Sequence, residues 1–139
     1  MRVGEIRRYA KGVATLLYRH LDNDPIVVAS WPPVAKSLGC RVYYSSVSGT
    51  GPGHYVRPSE LNDCGLIFIN RAYTEYHQCH TFAHEIAHHV LAHEVSANLF
   101  DDRPRVEQYR DEDTDCHHLI AKEVQRLIFG VRDPWEKRI

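Results

Sequence analysis

The stretch from Glu75 to Ala97, EYHQCHTFAHEIAHHVLAHEVSA, contains neither Gly nor Pro and carries Phe82, Ile86, Ala87, Val90 and Leu91 as an apolar stripe at helical spacing. It predicts a central helix. Inside it, His84-Glu85-Ile86-Ala87-His88 is an HExxH motif. Residues four apart lie one turn apart on the same helical face, so the imidazoles of His84 and His88 can bind one Zn²⁺. Glu85 projects from the adjacent position, where a carboxylate can accept a proton from the attacking water and pass it to a leaving amine. The chemistry this pattern points to is hydrolysis. The chain holds 10 histidines, which raises the rate at which such a pattern arises by accident. The helical context, free of breakers and preceded by an apolar strand, is nevertheless the one the motif requires.

Upstream, Gly65 to Asn70 (GLIFIN) is a nearly continuous apolar run with β-branched residues, bounded by Asn62, Asp63 and Asn70, and predicts a buried strand. Arg41 to Val47 is rich in Val and Tyr and predicts a strand entering the Ser48 to Gly53 loop. A short strand is expected at Tyr55 to Arg57. Earlier still, Ile6, Ala10, Val13, Leu16 and Leu17 mark one face of a first helix over Val3 to Leu21. Pro32 and Pro33 interrupt the chain before a short helix that stops near Leu38 and Gly39.

Downstream, Asp101 to Pro104 breaks the central helix and a polar stretch runs to about Asp113, longer than most connections in a compact domain. Cys116, Leu119, Ile120, Val124, Leu127 and Ile128 predict a last helix beginning near Thr114 and stopped by Gly130. The tail from Val131 to Ile139 is expected to be irregular. The sum is an α+β fold: a small twisted sheet packed against the HExxH helix and a further C-terminal helix, in one domain spanning 1–139.

Composition excludes several classes. Lys and Arg total 17 against 18 Asp and Glu, so no basic excess calls for nucleic acid or an anionic membrane as a direct partner. The basic residues near the start (Arg2, Arg7, Arg8, Lys11, Arg19) are expected to form a solvated face. No run of about 18 apolar residues and no secretory leader is visible, so the chain is expected in the cytoplasm. Cys40, Cys64, Cys79 and Cys116 are scattered without a CxxC pair, which argues against a zinc ribbon or a disulfide scaffold and for reduced, mostly buried thiols.

The segment from Gly65 to His93 resembles the ImmA/IrrE family of metallopeptidases. There a strand G-x-I-x-I-N precedes a helix T-x-A-H-E-x-x-H. Here these read Gly65-Leu66-Ile67-Phe68-Ile69-Asn70 and Thr81-Phe82-Ala83-His84-Glu85-Ile86-Ala87-His88. The family's downstream pattern E-x-E-A-N-x-F-A is met by Asp113-Thr114-Asp115-Cys116-His117-His118-Leu119-Ile120, with Asp for both Glu, Cys for Ala, His for Asn and Leu for Phe. Catalytic zinc takes three protein ligands plus water. The resemblance makes Asp115 the third ligand beside His84 and His88, with Glu112 and Asp113 as alternatives. An acid in the first turn of a helix also serves the macrodipole and the cap, without any metal. His89 and His93 are expected beside the metal ligands or at the surface. His117, His118, Tyr76, His77 and His80 are candidates to stabilise an oxyanion.

What the resemblance implies is a Zn²⁺-dependent endopeptidase, with another divalent transition metal such as Mn²⁺ as the alternative, that cleaves a helix-turn-helix transcriptional repressor in a phage, mobile-element or stress-response system. Family members with a repressor domain fused in front differ from this chain, whose 139 residues are expected to leave no room for one. Two other classes stay open: a catalytically silent metal-containing protein-binding module, whose site Cys79, Cys116 or His117 would close, and a toxin-antitoxin component. Oligomeric state is not legible.

Overall fold

A computed structural model describes residues 3–61, 63–96 and 111–135, with 93–96 and 111–115 described by their backbone alone. The expected first helix is α1 (Val3–His20), which buries Ala10, Val13, Ala14 and Leu17 and leaves Arg7, Arg8, Lys11 and Arg19 exposed. Pro32 and Pro33 do not interrupt an element. They occupy the first turn of α2 (Trp31–Ser37), where a missing N–H costs nothing and the fixed φ suits the helix. Gly39 ends that region at φ 85°, the left-handed conformation that favours glycine. Trp31 is fully buried, and its indole N–H donates to the Pro25 carbonyl at 2.8 Å.

Three strands follow, β1 (Cys40–Ser45), β2 (Gly53–Val56) and β3 (Gly65–Asn70), in the order β1-β3-β2. β1 runs parallel to β3, with Cys40 opposite Gly65, whereas β2 runs antiparallel to β3, with Tyr55 opposite Ile67. The helices α3 (Glu75–Ser96) and α4 (Asp111–Phe129) follow the sheet. The fold is α+β, as expected, with four α-helices and a small mixed sheet among the described residues. β2 starts two residues earlier than the expected Tyr55. α4 starts three residues before Thr114 and takes in the end of the stretch expected to be a loop.

The apolar run of β3 is buried on one face only. Ile67 and Ile69 are wholly buried, while Phe68 is 38% exposed and stacks on Tyr43 at 5.4 Å. Period-two alternation puts neighbouring residues on opposite faces, so one side of the sheet is dry against α3 and the other meets solvent. Phe82, Ile86, Ala87, Val90 and Leu91, the stripe read from the sequence, all lie in the core. Burying side chains such as Phe82 and Ile86 contributes about 1.5–3 kcal/mol each, which fixes the rotation of α3 and hence the direction of its polar face. Among the described residues no helix is long and apolar enough to cross a membrane.

Candidate metal centre and cleft

With the stripe of α3 turned inward, His84 and His88 face α4. Their Nε2 atoms stand 3.2 Å apart, and the rings meet edge to face with centroids 4.8 Å apart. Tetrahedral coordination at Zn–N distances near 2.0–2.1 Å sets neighbouring nitrogens about 3.4 Å apart, so the pair has the spacing that a shared cation needs. His118 on α4 completes the group: one nitrogen from each of His84, His88 and His118 lies within 4.8 Å of the others. Its ring centroid is 5.0 Å from that of His84. The donor set fits zinc, since imidazole suits that ion and three protein nitrogens leave a coordination position open.

Hydrogen bonding fixes the tautomer of His84. Gln125 presents its carbonyl Oε1 to His84 Nδ1 at 2.7 Å and its Nε2 to His80 Nδ1 at 2.8 Å. A carbonyl oxygen only accepts, so His84 carries its proton on Nδ1 and turns a bare Nε2 toward His88. His80 stacks on Phe129 at 4.1 Å, which holds the far end of this chain still. Burial lowers both cluster imidazoles, His84 to about 4 and His88 to about 3, so both are neutral near pH 7, as ligation requires. Burial pushes the Glu85 carboxyl up to about 7, the range that suits a group taking and returning a proton.

The sheet packs on α3 through two glycines. A Cβ on Gly53 would collide with the Thr81 methyl and lie 2.7 Å from the Phe68 carbonyl, so only glycine lets β2 sit this close to α3 near Glu85. A Cβ on Gly65 would come within 2.6 Å of the His89 ring. That ring is a strut: its Nε2–H donates to the Leu38 carbonyl at 2.7 Å, leaving Nδ1 to accept from the Tyr55 hydroxyl at 2.7 Å. His89 is therefore buried structure and not surface, and it is not among the three clustered histidines. Asn70, 2% exposed, donates through Nδ2 to the Val47 carbonyl and the Thr50 hydroxyl at 2.8 and 2.9 Å and pins the β1–β2 loop above the cleft.

Of the expected site residues, the structure places His84 and His88 side by side and sets Glu85 on the same clefts. The side chains of Asp115, Glu112, Asp113 and His93 lie outside the described residues. His118, read as an oxyanion candidate, stands where a third ligand would. Of the other oxyanion candidates, Tyr76 and His80 pack against Phe129, and His77, His80 and His117 line clefts beside the cluster. Gln125 gave no signal in the sequence. It lies seven residues beyond His118, two turns along one face, but an amide there reads as ordinary helix polarity.

Two clefts of about 340 and 540 Å³ share His84, Glu85 and His118. A small α+β domain with an HExxH helix, a facing helix that supplies a third nitrogen and an edge strand beside the cleft is a zincin-like domain. The model of the Peptidase_M78 family, described as the IrrE N-terminal-like domain, matches residues 35–123, well over half the chain. The chain belongs to that family, and its function is of the metallopeptidase type. No curated protein and no solved structure matches the chain significantly.

Proposed function

We propose that the chain is a zinc-dependent endopeptidase that cuts an extended segment of a protein, a helix-turn-helix repressor in a phage, mobile-element or stress-response system. The observation that carries the reading is the juxtaposition of three imidazoles with the Glu85 carboxyl where two clefts meet. His84, His88 and His118 would hold the metal, which when bound supplies a Lewis acid that acidifies water and polarises a carbonyl. Glu85 accepts the proton released as water attacks the scissile carbon and delivers it to the amine as the C–N bond breaks. Among the described residues β2 has one neighbour in the sheet, β3, so its outer edge can pair with an extended substrate backbone.

A structural metal site would be closed by a fourth protein ligand, and among the described residues the cluster offers three. That favours catalysis over a silent binding module. The four thiols are free, Cys40 and Cys79 buried, in keeping with a reducing compartment, the cytoplasm. A repressor exposes extended backbone in the linker between its DNA-binding and dimerising parts. Cutting there removes the avidity of two half-sites without the peptidase touching DNA. The test is co-expression with the product of an adjacent helix-turn-helix gene. One discrete cut is expected, and Glu85→Gln should slow it at least about a hundredfold while zinc stays bound. An intact repressor together with direct binding of the chain to operator DNA would rule the proposal out.

A further inference from the structure

The 340 Å³ cleft runs from Glu85 toward the turn that follows α4, where Tyr73, His77 and Trp135 form its outer wall. We propose that this cleft is a side-chain subsite, beside the scissile bond, for an aromatic or large aliphatic residue of the substrate. The inference rests on the peptidase reading above and adds a specificity to it. The matched family segment ends at residue 123, so Trp135 lies beyond it.

The wall is built, not incidental. Gly130, at φ 86°, turns the chain back, and its N–H donates to the Arg126 carbonyl at 2.8 Å. Arg132 then donates to the buried carboxylate of Glu123 through Nε and Nη2, at 3.2 and 3.0 Å. Asp133 accepts from the Trp135 N–H at 3.1 Å, closing a local turn that sets the indole over His77. The His77 ring meets Trp135 at 4.5 Å and 89° and Tyr73 at 4.5 Å and 74°, both edge to face, the preferred arrangement of aromatic pairs. Trp135 remains 72% exposed, a large apolar surface that a substrate side chain would cover.

The polar groups of the outer wall are engaged in ways that leave its rings facing the cleft. The Tyr73 hydroxyl donates to the Thr50 carbonyl at 2.7 Å, so Tyr73 offers its ring. Asp133 is turned to its own backbone, and Lys122 on the same cleft opposes its charge. Burial lowers His77, which keeps that ring neutral near pH 7. With its charged groups, Lys122, Asp133 and Glu85, of both signs and its outer wall made of three rings, the cleft favours a ring or a branched chain over a carboxylate or an ammonium.

The test uses the full chain loaded with Zn²⁺ and two hydroxamates that differ only in carrying a benzyl or a methyl side chain. By calorimetry the benzyl compound should bind at least about tenfold tighter, the scale on which apolar pockets discriminate. That ratio should fall toward one in Trp135→Ala and survive in Tyr73→Phe, which keeps the ring. Trp135 is exposed, so its loss should leave helix content and zinc stoichiometry intact, and both are checked on the variant. In a parallel arm, a peptide mixture digested by the wild type should show cuts enriched for Phe, Tyr, Trp or Leu at one position flanking the scissile bond. A benzyl preference without any cut would sink the peptidase reading and leave the subsite standing. Cuts with no aromatic or aliphatic enrichment, equal hydroxamate affinities, or a preference for a lysyl side chain would overturn the subsite.

Discussion

His88 and His89 are neighbours in sequence, and they serve opposite ends. His88 looks toward α4, where its ring nitrogen, that of His84 one turn back on α3 and that of His118 on α4 stand close enough to hold one metal ion. His89, one helical step on, looks toward the sheet, where Tyr55 and the Leu38 carbonyl engage both ring nitrogens. Identical side chains on one helix thus become a ligand candidate and a strut, according to whether the facing element offers nitrogens or oxygens. A rotation of about 100° per residue is enough to separate the roles.

The largest effects should fall on the face toward α4. His84→Ala and His118→Ala should each lose zinc and hydrolysis together, as read by metal analysis and by cleavage, whereas Asp115→Ala should retain the metal. Zinc retained by His118→Ala but lost by Asp115→Ala would return the third position to the carboxylate that the family resemblance implies.

Gln125→Leu takes away the acceptor that holds His84 in its metal-facing tautomer. Groups that orient metal-bound histidines typically matter 10–100-fold in affinity, and a comparable weakening of zinc binding is expected by competition with a chelator. Gln125→Glu, whose oxygens can accept from the same Nδ1–H, should recover part of it. An affinity untouched by Gln125→Leu would mean that packing alone orients the ring.

On the sheet side, His89→Leu should spare the zinc stoichiometry and reduce stability by roughly 1–3 kcal/mol, because it removes the part-buried hydrogen bonds to the Tyr55 hydroxyl and the Leu38 carbonyl. Denaturant melts measure it. Loss of zinc with unchanged stability would mean that the two faces are not separate.

The smallest effect per step is that of pH on the metal-free protein. In the unfolded chain the imidazoles take up protons near 6.5, while in the fold His84 and His88 stay neutral to about 4 and 3, so low pH favours unfolding. Glu85 acts the other way: it keeps its proton to about 7 in the fold and loses it near 4.5 when unfolded. Between 4.5 and 6.5 two histidines outweigh one carboxyl by a single proton, and stability should rise with pH by up to ~1.4 kcal/mol per unit. Urea midpoints at pH 5 and 6.5 decide it, and a higher midpoint at pH 5 would contradict the burial assigned to the pair.

Periodic and local features were legible in the chain alone. The stripe of α3, the β3 segment from Gly65 to Asn70, the stop at Gly130 and the pair His84 and His88 with Glu85 depend on residues a few positions apart, where backbone geometry dictates which side chains share a face. Folding decided what depends on distant residues. Gln125 meets His84 across 41 positions, Tyr55 meets His89 across 34, and Trp135 reaches Tyr73 and His77 only because α4 ends in a turn that doubles back. That His118 faces His84 and His88 follows from the rotation of α4 against α3, set by the packing of Ile120, Ala121 and Val124 in the core. No spacing rule along the chain encodes that angle, because it is the sum of many weak apolar contacts that exist only once both helices are in place.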